Sequence, residues 1–395
     1  YFLNTTAGTI TVNLPAGAAG SIVSMADYAA TWDANNVTLN ANGTEKIGGV
    51  ASVPVALNTI GQSVTFVYVD STQGWVNTMD STSNVRGNAY MIATGGTVTT
   101  SGNDKIHTFT GPGTFTVCTV ALCAANNLVS YMVVAGGGGS GSYIGGGGGA
   151  GGFRELKSPS TPYTASPLDG YATPGNRITV TTTAYPIAVG GGGTGYPIGD
   201  PGGAGTRGSD STFSPISSAG GGSGGFPGTN PISPGGSGGG GGEARSGGTG
   251  NTPPTTPAQG FAGGTGSGPG PENDYYEEAG GGGGATAVGG NGNHNGPSTG
   301  NGGAGATTNI PGTPTAYAGG GGGGKGALSS GGSIPQGGVG GGGNGSFCTT
   351  QNTAGGCNTG GGGGGSAIAP YSPASPQFPG ANGGSGIVII RYKVQ

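Results

Sequence analysis

The chain has 395 residues and a formal net charge of −4, and its 102 Gly and 27 Pro make up nearly a third of it, against roughly an eighth in average proteins. Apolar residues reach 32% and charged residues 7%, where about 45–50% and ~25% are usual, so no conventional oily core can serve the whole length. The scattered Lys and Arg exclude an electrostatic footprint for nucleic acid, and no apolar run approaches the ~18–20 residues of a membrane-spanning helix.

Low-complexity disorder is the bland reading of such a composition. Disordered chains, however, usually carry high net charge, and this one does not. No signal peptide is visible. The chain opens at Tyr1 rather than Met, which reads as a processed end or as the visible end of something longer.

Residues 1–80 read as a compact β module. Thr9–Leu14 alternates polar and apolar until Pro15, and Ser21–Met25, Val37–Leu39 and Val64–Val69 repeat the pattern. Asn42-Gly43 and Asp70–Gly74 supply the turns. Trp32 and Trp75 read as core or interface anchors. Residues 81–135 form a second β region. Within it Lys105–Val117 reads as a hairpin about Gly111-Pro112-Gly113, and Val129–Ala135 as a strand running into the first glycine block.

From 136 to 386 glycine runs alternate with short Pro/Ser/Thr/Asn-rich segments. The spacing is irregular, which excludes collagen, and no Gly-Gly-x-Gly-x-Asp nonapeptide supports a calcium-binding β-helix. Polyglycine lacks the side-chain pairs that stabilise strands, and it costs an α-helix about 1 kcal/mol per residue. The remaining ordered geometry is a polyglycine-II helix, three residues per turn with 3.1 Å rise, bonded sideways to its neighbours. The expected fold class is therefore all-β modules plus a polyglycine-II bundle, with essentially no α-helix. The terminal Ile387–Gln395 segment is an evident strand, expected to neighbour Tyr131–Ala135 in one sheet and to complete the 81–135 base.

Chemistry is sparse. His107 lies in a strand pattern and His294 in a polar loop, so no triad or Cys–His dyad can be argued. Lys325 after a glycine run mimics a P-loop, but Gly326 stands where Ser/Thr is required. Asn4, Asn36, Asn42 and Asn344 open sequons that matter only in a eukaryotic secretory pathway. Cys118/Cys123 and Cys348/Cys357 are spaced to close small disulfide loops; free thiols and, without a neighbouring His, zinc are the alternatives.

Binding specificity on such a scaffold belongs in loops. Pro271–Glu278 is the densest polar-aromatic one. Tyr275 and Tyr276 can stack on a sugar or protein receptor, with Glu277 and Glu278 beside them. Glu272 and Asp274 are candidate Ca²⁺ ligands, although a solvated loop is the simpler reading and neither metal nor cofactor is expected. The segments Phe153–Tyr163, Phe226–Pro234 and Tyr371–Phe378 add Phe153, Phe226, Tyr371 and Phe378 as candidates.

The ordered series Ile106–Val117, Tyr131–Gly139, Gly145–Arg154 and Gly383–Tyr392 resembles the glycine-rich domain of tailed-phage fibre proteins of the marine and cyanobacterial phage type. Ser209–Gly221 resembles a piece inside that domain. Gly61–Asp70 with Gly74-Trp75 resembles part of a β module of virion fibres. Architecture alone links the chain to the polyglycine-II adhesins at fibre tips of T-even-like phages. The resemblance implies a non-enzymatic, extracellular virion protein, often a homotrimer. Its N-terminal side would join other virion proteins, and its loops would meet a host glycan or protein, with neither nucleic acid nor membrane insertion involved. A secreted matrix or filament subunit is the alternative. The cysteine loop at 118–123 and the acidic loop depart from the resemblance.

Overall fold

The computed structural model describes all residues except 82–89, 198–201, 228–232, 269–276, 295, 327–332, 349, 368–377 and 395. Two units result, one of residues 1–90 with 120–124, the other of 91–119 with 125–395. Strands and short 3-10 turns make up the regular structure, with no α-helix among the described residues.

Unit 1 contains β1 (Phe2–Leu3), β2 (Ile10–Asn13), β3 (Ile22–Asp27), β4 (Val37–Asn40), β5 (Lys46–Ile47), β6 (Val50–Ala51), β7 (Val55–Leu57), β8 (Ser63–Tyr68) and β9 (Trp75–Ser81). A six-stranded sheet, β1-β3-β8-β9-β5-β6, faces a three-stranded one, β2-β4-β7. The alternation in β3 and β4 buries Val23, Met25, Val37 and Leu39 against Phe66, Trp32 and Trp75, both tryptophans fully enclosed. Sequence patterning misses β1, β5, β6, β7 and β9. Four of these five have two or three residues, too few to show a period.

Unit 2 begins with β10 (Ile92–Thr94), β11 (Thr97–Ser101), β12 (Asp104–Phe109), β13 (Gly113–Thr119), β14 (Ser130–Val134) and β15 (Phe153–Leu156). It continues with β16 (Ala184–Ala188), β17 (Ser211–Phe213), β18 (Ile216–Ser218), β19 (Ala306–Thr308), β20 (Thr315–Tyr317) and β21 (Ile387–Lys393). Two five-stranded sheets form, β10-β13-β16-β17-β18 and β11-β12-β21-β14-β15, with β19-β20 a separate hairpin.

The expected hairpin over Lys105–Val117 is corrected here. β12 is flanked by β11 and β21, and β13 by β10 and β16, so the Gly111–Gly113 corner carries the chain from one sheet to the other. The expected neighbourhood of the terminal strand holds, since β14 and β21 pair antiparallel with Val133 opposite Val388. Both strands are buried on both faces, which explains why they read as continuous apolar runs without alternation. Nor is the base confined to residues 81–135 and 387–395. Segments inside the glycine block supply β15 to that sheet and β16, β17 and β18 to its partner.

On one face, His107, Phe115, Tyr131, Phe213 and Tyr392 interlock at ring separations of 5.1–6.3 Å. His107 is fully buried. Its Nδ1 lies 2.7 Å from the Gly95 carbonyl and its Nε2 3.1 Å from the Tyr392 hydroxyl. The carbonyl requires Nδ1–H, so Nε2 accepts from the tyrosine. Burial lowers the imidazole pKa and raises that of Tyr392 to about 12.

The neutral ring therefore contributes stability in full above its unfolded value, near pH 6.5, and loses it as pH falls toward the depressed folded value. His107→Gln should flatten this part of the unfolding profile below about pH 6.5. Hydrogen exchange of the β12 and β21 amides in both chains checks it; parallel pH profiles would refute it.

The opposite face of β11-β12-β21-β14-β15 carries Ile106, Met132, Val134, Phe153, Ile387 and Ile389. They pack with Tyr163, Ile310 and the methyls of Ala150, Ala285, Ala306 and Ala318. Those alanines stand at the sheet ends of glycine runs, so this cluster anchors the runs to the sheet.

Candidate functional site

The glycine runs bond to one another with a period of three. In Gly145–Gly152 the amides of 145, 148 and 151 donate to carbonyls 366, 363 and 360; those of 146, 149 and 152 to 225, 222 and 219; those of 147 and 150 to 280 and 283. Carbonyls 145 and 148 accept from amides 324 and 321, carbonyls 146 and 149 from 141 and 138, and carbonyls 147 and 150 from 240 and 237. One run thus has six neighbouring runs, three met through its N–H groups and three through its C=O groups. An added Cβ at Gly146, Gly147, Gly148 or Gly149 would stand 1.9–2.4 Å from a neighbour's carbonyl oxygen, so the Cα–H bonds point at carbonyls.

One N–H···O bond per residue is worth about 1 kcal/mol net. The Cα–H···O contacts add about 0.5–1 kcal/mol each. Together these offset the ~1–2 kcal/mol cost of fixing a backbone residue, a cost higher for Gly. A lone run has neither kind of contact, so the lattice orders as a whole.

Run 136–141 leaves β14, and its partners 206–209, 381–384 and 146–149 meet it in descending order and so run antiparallel to it, whereas run 280–283 lies parallel to run 145–152. The far ends of the runs, away from the sheets, are where loops can be displayed. There Tyr143, at the turn after the first run, meets Phe226 edge-on at 5.9 Å and 75°. Gly202 and Gly203 pass so close that an added Cβ would lie 2.2–2.6 Å from rings of Tyr143, Phe226 and Tyr196. All three aromatics are half-buried.

Glu278, Lys325 and Phe347 form a second far-end group through isolated β-bridges. Glu278 Oε1 accepts from the amides of Thr299 (2.9 Å) and Gly300 (2.7 Å). Lys325 Nζ donates to the Gly296 carbonyl (2.6 Å) and the Ser298 hydroxyl (3.3 Å), 5.6 Å from the Phe347 ring. Burial raises the Glu278 pKa and lowers that of Lys325, and each charge partly offsets the shift of the other. The P-loop look-alike is thus a clamp joining four runs.

Of the sequence candidates, Tyr275, Tyr276, Glu272, Asp274 and Tyr371 lie outside the described residues. Phe226 and Phe378 are half-buried near the far end. Phe153 is corrected: it is 1% exposed in the anchoring core at the sheet end. Glu277 and Glu278 are likewise buried, and Glu278 spends its carboxylate on backbone amides rather than on a surface. The structure joins neither Cys118 to Cys123 nor Cys348 to Cys357 by a disulfide bond. No group of three His, Cys, Asp or Glu able to hold a metal occurs among the described residues. Sequence reading missed Tyr143 and Tyr196. The signal was an aromatic standing where a glycine run ends.

Paired β-sheets carrying a lattice of glycine runs define a glycine-rich protein whose backbone bonds replace much of an apolar core. The family model of the glycine-rich domain matches residues 107–393, and the chain belongs to that family. No curated protein matches it.

Proposed function

We propose that this chain is a non-enzymatic structural fibre of a tailed-phage virion, a homotrimer whose far-end loops contact the host surface. The glycine runs are read as polyglycine-II helices. The observation that carries the reading is the period-three, six-neighbour bonding of Gly145–Gly152. It makes a stiff bundle from residues almost without side chains, and it gives the described far ends of the runs a rigid support. Such a scaffold suits display, not catalysis, and both nitrogens of His107 are committed to structural bonds.

The test replaces the loops at 226–234, 268–277 and 368–379 with Gly-Ser linkers in particles carrying the protein. Adsorption to host cells should fall at least about tenfold, or 1.4 kcal/mol of binding free energy, while thermal unfolding stays unchanged. Undiminished adsorption would reject the attachment role, and electron microscopy that failed to place the chain on a particle would reject the virion role.

A further inference from the structure

A groove of about 410 Å³ opens beside the anchoring core, lined by Ser101, Lys157, Tyr163, Thr164, Asn309 and Arg391, with Pro162 and Gly312 completing it. It belongs to unit 2 and lies at the sheet end of the runs, away from the loops considered above. Its volume falls within the usual range of ligand sites, about 300–1,000 Å³.

The walls are held from behind. The Tyr163 hydroxyl donates to Glu155 Oε1 (3.2 Å) and to the Leu156 carbonyl (3.4 Å), which fixes the ring. Arg391 is held by Asp104 (2.7 Å) and by the Asn309 and Ile310 carbonyls (3.2 and 3.4 Å), with its guanidinium 5.0 Å from the Tyr163 ring. The Asn309 amide donates to the Thr164 carbonyl, closing the turn onto the neighbouring loop.

The groups facing the groove are, in contrast, uncommitted. The hydroxyls of Ser101 and Thr164, the side-chain amide of Asn309 and the ammonium of Lys157 make no hydrogen bond or ion pair among the described residues. No carboxylate lines the groove. Asp104 neutralises Arg391, so one unpaired cation remains beside three neutral hydrogen-bonding groups.

We infer that this groove binds a carboxylated sugar, a uronate unit of an acidic polysaccharide. A single carboxylate matches Lys157, while the two hydroxyls and the amide both donate and accept, as sugar hydroxyls do. A phosphate or nucleotide fits less well: it calls for more unpaired cations or a nest of backbone amides, and the buried Tyr163 offers no open face for a base. The inference stands apart from the loop-display reading, because it is read on purified chain rather than on cells.

Calorimetric titration of the full chain at low salt, with digalacturonate against the neutral galactose disaccharide, tests it. The acidic sugar should bind with a Kd of about 1 mM or tighter, and the neutral one at least about tenfold more weakly. Lys157→Met should lose at least about tenfold for the acidic sugar only, and Asn309→Ala should weaken both. Neither should move the thermal transition by more than the scatter between preparations. Absent binding, equal binding of both sugars, full retention by Lys157→Met, or equal competition by inorganic sulfate would each overturn the inference.

Discussion

Replacing Gly148 with Ala is expected to destabilise unit 2 by about 3 kcal/mol or more. The added Cβ would stand 2.0 Å from the Gly138 oxygen and 3.0 Å from the Gly363 nitrogen, where ordinary contact begins near 3.4 Å. Run 136–141 would have to move by more than about 1 Å, and it is not free to do so. Gly137, Gly138 and Gly139 each donate to a different run, at 2.9, 2.8 and 3.0 Å. A buried amide or carbonyl that loses its partner costs about 1–3 kcal/mol, and several are exposed to that loss together.

Gly191→Ala is the matched control. An added Cβ there meets nothing within 4 Å, so it should be neutral or stabilise by about 0.4–1 kcal/mol through the unfolded chain. Both tryptophans belong to unit 1, so their fluorescence does not report this unit. Hydrogen exchange across residues 136–152 does. Equal protection in the two variants would mean that the runs are not packed backbone to backbone.

Arg391→Met is expected to cost about 3–5 kcal/mol, the effect of stranding a buried charge. Arg391 Nε and Nη2 both meet Asp104 Oδ2, at 2.8 and 2.7 Å, with the two side chains 5% and 1% exposed. Asp104 Oδ1 is buried with no hydrogen-bond partner, so the substitution would take from the carboxylate the guanidinium that both bonds and neutralises it. The arginine also ties β21 to the turn at Asn309–Ile310 between β19 and β20. Its loss should therefore raise exchange at both places. The double variant Asp104→Leu/Arg391→Met should recover most of the stability, because removing both charges of a buried pair is often neutral or favourable. A single variant as stable as the parent would show the pair to be solvated.

Local chemistry made much of the fold legible. Alternation over Ser21–Met25 and Val64–Val69 announced strands, and Asn42-Gly43 a turn, because period and turn residues act within a few positions. The refusal of glycine runs to be strand or helix was equally plain, since it follows from what glycine lacks. Partners at long range were not legible. The sequence around Gly111–Gly113 is the same whether 104–109 and 113–119 pair or part. What separates them is that β21, more than 270 residues later, occupies the edge that β13 would need.

The candidate site shows the same division. Aromatic loops could be named from composition, but whether Phe153 or Phe226 reaches the surface depends on which end of a run it terminates. That is set by the direction of the run. Glu278 and Lys325, 47 positions apart in sequence, drew attention for opposite reasons, one as a surface acid and the other as a phosphate-loop mimic. Only the side-by-side placement of their runs makes them a structural clamp. Composition thus determined that backbone bonding must replace an oily interior here. Tertiary structure decided which run bonds to which, because glycine residues carry no side chains to encode a partner.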